Sequence, residues 1–256
     1  MLEGIHALID AADSEAHRFP PTLLYNEGWM LRLVLGWFHD HEVSGHMLAF
    51  HSGATWFSEG LLPSPFRPRH RGDRRAEART HADGILGHVS IGSAAKADAV
   101  LLPDARQCVV TEAKIHSPLS GGTRNAPTYD QAARNVACIA ELLSRADRRP
   151  ADMHSLAFLV LAPQEHIKEG DIPQKLAKHS IERAVRTRAQ AFSPDLDAWL
   201  EGWFLPALQS MTIMPISWEQ LIRDIASHDE HAAEAMTTFY EKCLKYNSIA
   251  NRFVPA

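Results

Sequence analysis

Apolar side chains recur at helical spacing over residues 22–38, where Leu24, Leu31, Val34, Leu35 and Phe38 share one stripe. This predicts a helix whose apolar side also carries Glu27, between Leu23/Leu24 and Met30/Leu31. Residues 1–19 predict a shorter helix, with Ile5, Leu8, Ile9 and Ala12 on one side, ending at Pro20-Pro21. Residues 39–51 read as a polar loop, and 54–62 as a short helix. Strand signals begin later. Residues 80–91 predict the first strand, with Asp83-Gly84 available as a turn within it; His81 and Asp83 could line a cleft, but turn chemistry explains Asp83 well enough. Two further strand-like runs, 97–102 and 108–115, are joined by the short turn Pro103-Asp104-Ala105-Arg106, which predicts a hairpin. A helix over 128–144 follows, with Ala132, Val136, Ile139, Ala140 and Leu143 on its buried stripe and Gln131 and Asn135 together on an adjoining face.

The continuous apolar run Leu156-Ala157-Phe158-Leu159-Val160-Leu161 suits an interior strand of a mixed sheet. Helices at 173–191 and 195–209, a strand at 211–216, a helix opened by Ser217 with Gln220 at capping-box spacing, and a last helix over 229–246 complete the chain. The pattern predicts an α/β protein: an α/β/α core around a mixed sheet of about five strands, in one domain over residues 1–256, with helical additions at both ends.

Within this frame the run Cys108-Val109-Val110-Thr111-Glu112-Ala113-Lys114-Ile115 stands out, because a buried strand carries two charged groups. Side chains alternate along a strand, so Glu112 and Lys114 share a face about 7 Å apart. Burying both is costly unless a bound cation and an anionic substrate compensate them. Folding the hairpin about Asp104-Ala105 places Asp98 opposite Thr111 or Glu112, with Cβ atoms roughly 5 Å apart. Two carboxylates that close raise one another's pKa unless a cation sits between them. The expected site is therefore Asp98, Glu112 and Lys114 on one patch of sheet.

Asp98, a hairpin, then Glu112-Ala113-Lys114 resembles the PD-(D/E)XK nuclease superfamily, with its restriction-endonuclease-like fold. The resemblance covers the N-terminal half best, and departs from the name-giving motif at Ala97, where Pro would stand. It implies a divalent-metal-dependent nuclease that hydrolyses phosphodiester bonds in nucleic acid, DNA before RNA. Mg²⁺ or Mn²⁺ would be held by Asp98, Glu112 and the backbone carbonyl of Ala113, since hard cations choose oxygen ligands. Lys114 would position or deprotonate the attacking water. Some branches carry a Gln and a Tyr on the helix after this strand, which makes Gln131 and Tyr129 candidates, and the first helix often adds an acid, here Glu27. Glu59 is the rival to Glu27, and for Glu27 a salt bridge to an Arg or a partly exposed edge position is an equally good explanation.

Composition narrows this little. The 256 residues carry a net charge of −5, against a general electrostatic nucleic-acid coat but not against a local cleft. Arg67, Arg69, Arg71, Arg74, Arg75 and Arg79 form a basic loop that is either a solvated segment or a grip for phosphates. The loop 116–128, with Gly121-Gly122, lacks the spacing of a nucleotide-binding P-loop. Three scattered cysteines predict reduced thiols in a cytoplasmic protein, and neither a signal peptide nor a membrane-length apolar run is expected. The oligomeric state, monomer or homodimer, stays open. Two rivals stand beside the nuclease: a catalytically inactive nucleic-acid-binding relative in which Asp98, Glu112 and Lys114 are a structural ion network, and a zinc carrier using His39, His41 or His46, whose five-residue spacing from His41 to His46 misses the H-E-x-x-H geometry.

Overall fold

The computed structural model describes residues 9, 11–13, 18–77, 80–92, 98–123 and 126–248, so most of the helix expected over 1–19, together with Arg79 and Ala97, lies outside the described residues. The first long helix, α1 (Glu27–Asp40), starts where Asn26 accepts the Trp29 N–H, and buries Met30, Leu31, Val34, Leu35 and Phe38. The next element corrects the expectation of a helix at 54–62. It is strand β1 (Thr55–Leu62), in which exposed Thr55, Phe57 and Glu59 alternate with less exposed neighbours. That two-residue alternation, with aromatic and β-branched side chains, outweighs the weak helical spacing.

Strand β2 (Thr80–Gly87) runs antiparallel to β1, and Asp83-Gly84 is not a turn but the middle of the strand. The break comes at Gly87, whose φ of 142° only glycine adopts readily and where a side chain would strike the Gln107 carbonyl. Beyond it the chain leaves the main sheet as β3 (Val89–Ile91). That short strand pairs with β4 (Ala99–Leu101) in a separate two-stranded ribbon. Strand β5 (Gln107–Ala113) therefore does not form a hairpin with β4. Its antiparallel neighbour is β2, and its parallel neighbour is β6 (Ser155–Ala162), which pairs in turn with β7 (Thr212–Ser217). The main sheet is mixed, in the order β1-β2-β5-β6-β7.

Helices cover both faces. On one side, α1 is joined by α8 (Trp218–Ala226) and α9 (Glu230–Asn247), packed on Leu86, Val109, Ala157 and Leu159. The other side carries α2 (Gln131–Arg145), α3 (Gln164–Glu169), α4 (Ile172–Leu176) and α5 (Lys178–Phe192). It continues through Asp197–Trp199 (α6), a π-helical turn Leu200–Phe204, and α7 (Leu205–Ser210). Ile85, Cys108, Val110, Phe158 and Val160 form the core beneath α2 and α5. The molecule is thus an α/β/α sandwich whose β5 and β6 are buried along nearly their whole length.

The basic loop before β2 is docked rather than loose. Arg69 and Arg75 donate to the carbonyls of Phe192 and Ala191 at the end of α5, and Arg188 donates back to the Arg75 carbonyl. Glu77 pairs with Arg134 at 2.7 Å and accepts from Ser64. These side chains hold the loop to the α2–α5 side, which leaves them little freedom to grip phosphates.

Candidate active site

Glu112 is the last but one residue of β5, and its side chain falls on the α2 face with those of Cys108 and Val110. Only 1% of it is exposed. Lys114, one residue beyond the strand, returns to the same face, and its Nζ donates to Glu112 Oε1 at 2.6 Å. The backbone of Lys114 is pinned on both sides: its N–H donates to the Leu161 carbonyl and its carbonyl accepts from Trp218 Nε1. Glu112 and Lys114 thus share one face, as the two-residue spacing predicts, and they are also directly paired.

The second acid is not the expected one. Asp98 sits at the mouth of the β3–β4 ribbon, bridges to Leu61 of β1, and lines a surface cavity with Ser64, Arg67, Glu77 and Arg145. The group opposite Glu112 is Asp83. The β2–β5 register pairs Gly84 with Thr111 and, one step further along the strands, brings Asp83 beside Glu112. There the backbone ladder stops and the Asp83 side chain takes over, its Oδ2 accepting the Ala113 N–H at 2.8 Å. Glu112 is pushed up to about 8, first by burial and then by the negative charge of Asp83, while Lys114 pulls the other way. The two carboxyl groups are within hydrogen-bonding reach of each other.

Helix α2 supplies the rest of the cage. Asp130 caps it by accepting the Ala133 N–H, which sets the first turn against the end of β5. Gln131 donates to Glu112 Oε1, and its own Oε1 accepts the Ser120 N–H while its N–H donates to the Ser120 carbonyl. That two-way clasp ties the loop after β5 to the helix and leaves the Gln131 amide one orientation. One turn on, buried Asn135 donates to Glu112 Oε2 at 3.3 Å. Tyr129 stays apart: it is buried against Phe66 and the guanidinium of Arg188, away from Glu112.

Glu27 opens α1 beside Cys243 of α9, whose thiol pKa is raised first by burial and then by the Glu27 charge. Glu59 is better placed. It lies in β1 between residues that pair with Gly84 and Ala82, hence opposite Asp83. Its φ of 59° is left-handed, a conformation that costs a non-glycine residue about 1 kcal/mol or more. Burial and Asp83 raise its pKa, against the pull of Arg32 at 3.9 Å. Glu59, Asp83 and Glu112 therefore form a row across three strands, with Lys114 at its inner end.

The histidines proposed for zinc spend their nitrogens elsewhere. His41 Nδ1 meets the Trp37 carbonyl at 2.7 Å, His46 lies between the Leu48 N–H and Asp224, and His39 pairs with Asp40. Among the described residues no three His, Cys, Asp or Glu side chains are grouped to hold a metal ion. The Asp83–Glu112 pair offers two carboxylates, and a Mg²⁺ ion commonly uses one or two and keeps its waters. The fit of a hard cation rests on that donor chemistry and on the raised pKa of Glu112, a penalty that a cation between the acids would remove.

The sequence left Asn135 without a role here, and allowed Asp83 to line a cleft only as the weaker alternative to a turn. Asp83 was hidden by the Asp-Gly pair, a turn signal that the strand overrode. Asn135 was visible as a helical neighbour of Gln131, four residues away on the same side. No family model, curated protein or solved structure matches this chain.

Proposed function

We propose that the chain is a divalent-metal-dependent phosphodiesterase acting on nucleic acid, with DNA as the first substrate to test. The observation that carries the reading is the opposition of half-buried Asp83 and buried Glu112 across β2 and β5, with buried Lys114 on the same face. Desolvating Glu112 and Lys114 costs on the order of several kcal/mol per ion, a penalty that a bound cation and an anionic substrate would offset. The order of strands and the E-x-K strand end resemble the PD-(D/E)XK superfamily, with Asp83 rather than Asp98 in the position of its first acid.

In this reading Asp83, Glu112 and the Ala113 carbonyl would hold Mg²⁺ or Mn²⁺. A bound divalent ion supplies Lewis-acid neutralisation of phosphate charge and activation of water. The remaining work belongs to side chains. Lys114 places a positive charge beside the reacting phosphate and exchanges its bond to Glu112 for one to the substrate or the attacking water. Gln131, clamped by Ser120, keeps Glu112 from turning away. Asp83 accepts the Ala113 N–H, which ties its carboxylate to the end of β5 beside Glu112.

Labelled single- and double-stranded DNA and RNA, incubated with Mg²⁺ and with EDTA, test the proposal. Metal-dependent cutting is expected, and Glu112→Ala and Lys114→Ala should abolish it while each protein still melts cooperatively. Cutting retained in both variants removes these residues from the mechanism. Failure of calorimetry to detect Mg²⁺ or Mn²⁺ uptake favours the inactive nucleic-acid-binding relative.

A further inference from the structure

The Glu112 carboxylate has two unequal sides. Oε1 takes two strong donors, the Lys114 ammonium at 2.6 Å and the Gln131 amide. Oε2 takes one, the Asn135 amide at 3.3 Å. Asn135 is itself only 1% exposed, and its Nδ2 also donates to the Gln131 carbonyl at 3.2 Å. Both neighbours of that nitrogen are acceptors, so the amide presents N–H, not oxygen, to Glu112. The donor is mounted on the second turn of α2, inside the core, where it has no freedom to follow the carboxylate if it rotates.

We propose that Asn135 is a positioning residue for metal binding: it fixes the plane of the Glu112 carboxylate so that a divalent cation meets Glu112 and Asp83 already aligned. This rests on the reading of the site as a metal-dependent phosphodiesterase and adds to it a residue outside the E-x-K strand. The argument is geometric. Lys114 and Gln131 both converge on Oε1 and leave the group free to pivot about that atom. Asn135 supplies a second point of attachment on the other oxygen, and together with the covalent Cγ–Cδ bond the two held oxygens fix the carboxylate plane. Lys114 lies on a flexible stem and is expected to change partners when substrate arrives, whereas Asn135 touches neither solvent nor substrate and keeps its bond throughout. Partners of this kind, which hold a ligand without binding the ion, are typically worth about 10–100-fold in metal affinity.

The test is Mn²⁺ and Mg²⁺ calorimetry on the full chain and on Asn135→Ala and Asn135→Leu, with melting in EDTA as the control. Asn135→Leu fills the space without a donor, so it serves if the cavity left by alanine unfolds the protein. The expected result is a Kd for Mn²⁺ about 10–100-fold weaker in each folded variant. The metal concentration for half-maximal cleavage should rise in parallel, with the rate at saturating metal much less affected. Wild-type affinity in a folded variant overturns the role of Asn135 and leaves the phosphodiesterase reading intact. A wild-type chain that takes up neither ion overturns that reading, and the role of Asn135 with it.

Discussion

At the scale of single residues, the account turns on why Glu112 tolerates burial. Burial and the negative charge of Asp83 favour its protonated form, against the pull of the Lys114 ammonium. The folded pKa of Glu112, about 8, lies above the ordinary value of 4.5. The folded state therefore binds more protons than the unfolded state between those values, and stability falls as pH rises through that window. Metal-free wild-type protein should lose melting temperature steadily between about pH 5 and pH 8, by up to one proton's worth of linkage. Glu112→Gln should flatten that dependence, and Mg²⁺ should raise the melting temperature more at pH 8 than at pH 5. A wild-type profile that is flat, or that rises, contradicts the assignment. Glu112 and Lys114 were legible because a period of two is a local rule. Asp83 was not, because its place opposite Glu112 depends on a register set by residues far away along the chain.

At the scale of elements, the decisive feature is where β2 ends. A hairpin between residues 97–102 and 108–115 is what a short turn suggests, and it would have put Asp98 in the site. The kink at Gly87 and His88 defeats it: His88 N–H bonds to the Gln107 carbonyl and the Leu102 N–H bonds to the His88 carbonyl, so the ribbon β3–β4 peels away while β2 keeps the edge of β5. Gly87→Ala adds a Cβ against the Gln107 carbonyl in a backbone region closed to alanine, and should cost about 1–3 kcal/mol, read from the urea midpoint. An unchanged midpoint would mean that the kink is not constrained there. The helix expected at 54–62 failed for a related reason. Residues in an edge strand are half exposed, so their apolar pattern is weak, and only pairing with β2 reveals them as a strand. Strand β6 was legible because burial on both faces leaves a continuous apolar run.

At the scale of the whole molecule, the layers bring together parts of the chain that share no local signal. Strand β2 contributes Asp83, β5 contributes Glu112 and Lys114, and α2 contributes Gln131 and Asn135, all at one end of the α2-facing side of the sheet. The α/β class and the approximate strand count were readable from alternating runs of apolar periodicity, but the choice between Asp83 and Asp98 belongs to the assembled sheet. That choice is the central claim, and one comparison tests it: the rate of Mg²⁺-dependent cleavage of labelled DNA by Asp83→Asn against Asp98→Asn, both confirmed folded by melting. Asp83→Asn is expected to lose more than about 100-fold at saturating Mg²⁺, as befits a group acting on the reacting charges, while Asp98→Asn cleaves as wild type does. Loss of activity in Asp98→Asn with Asp83→Asn unimpaired would contradict the account.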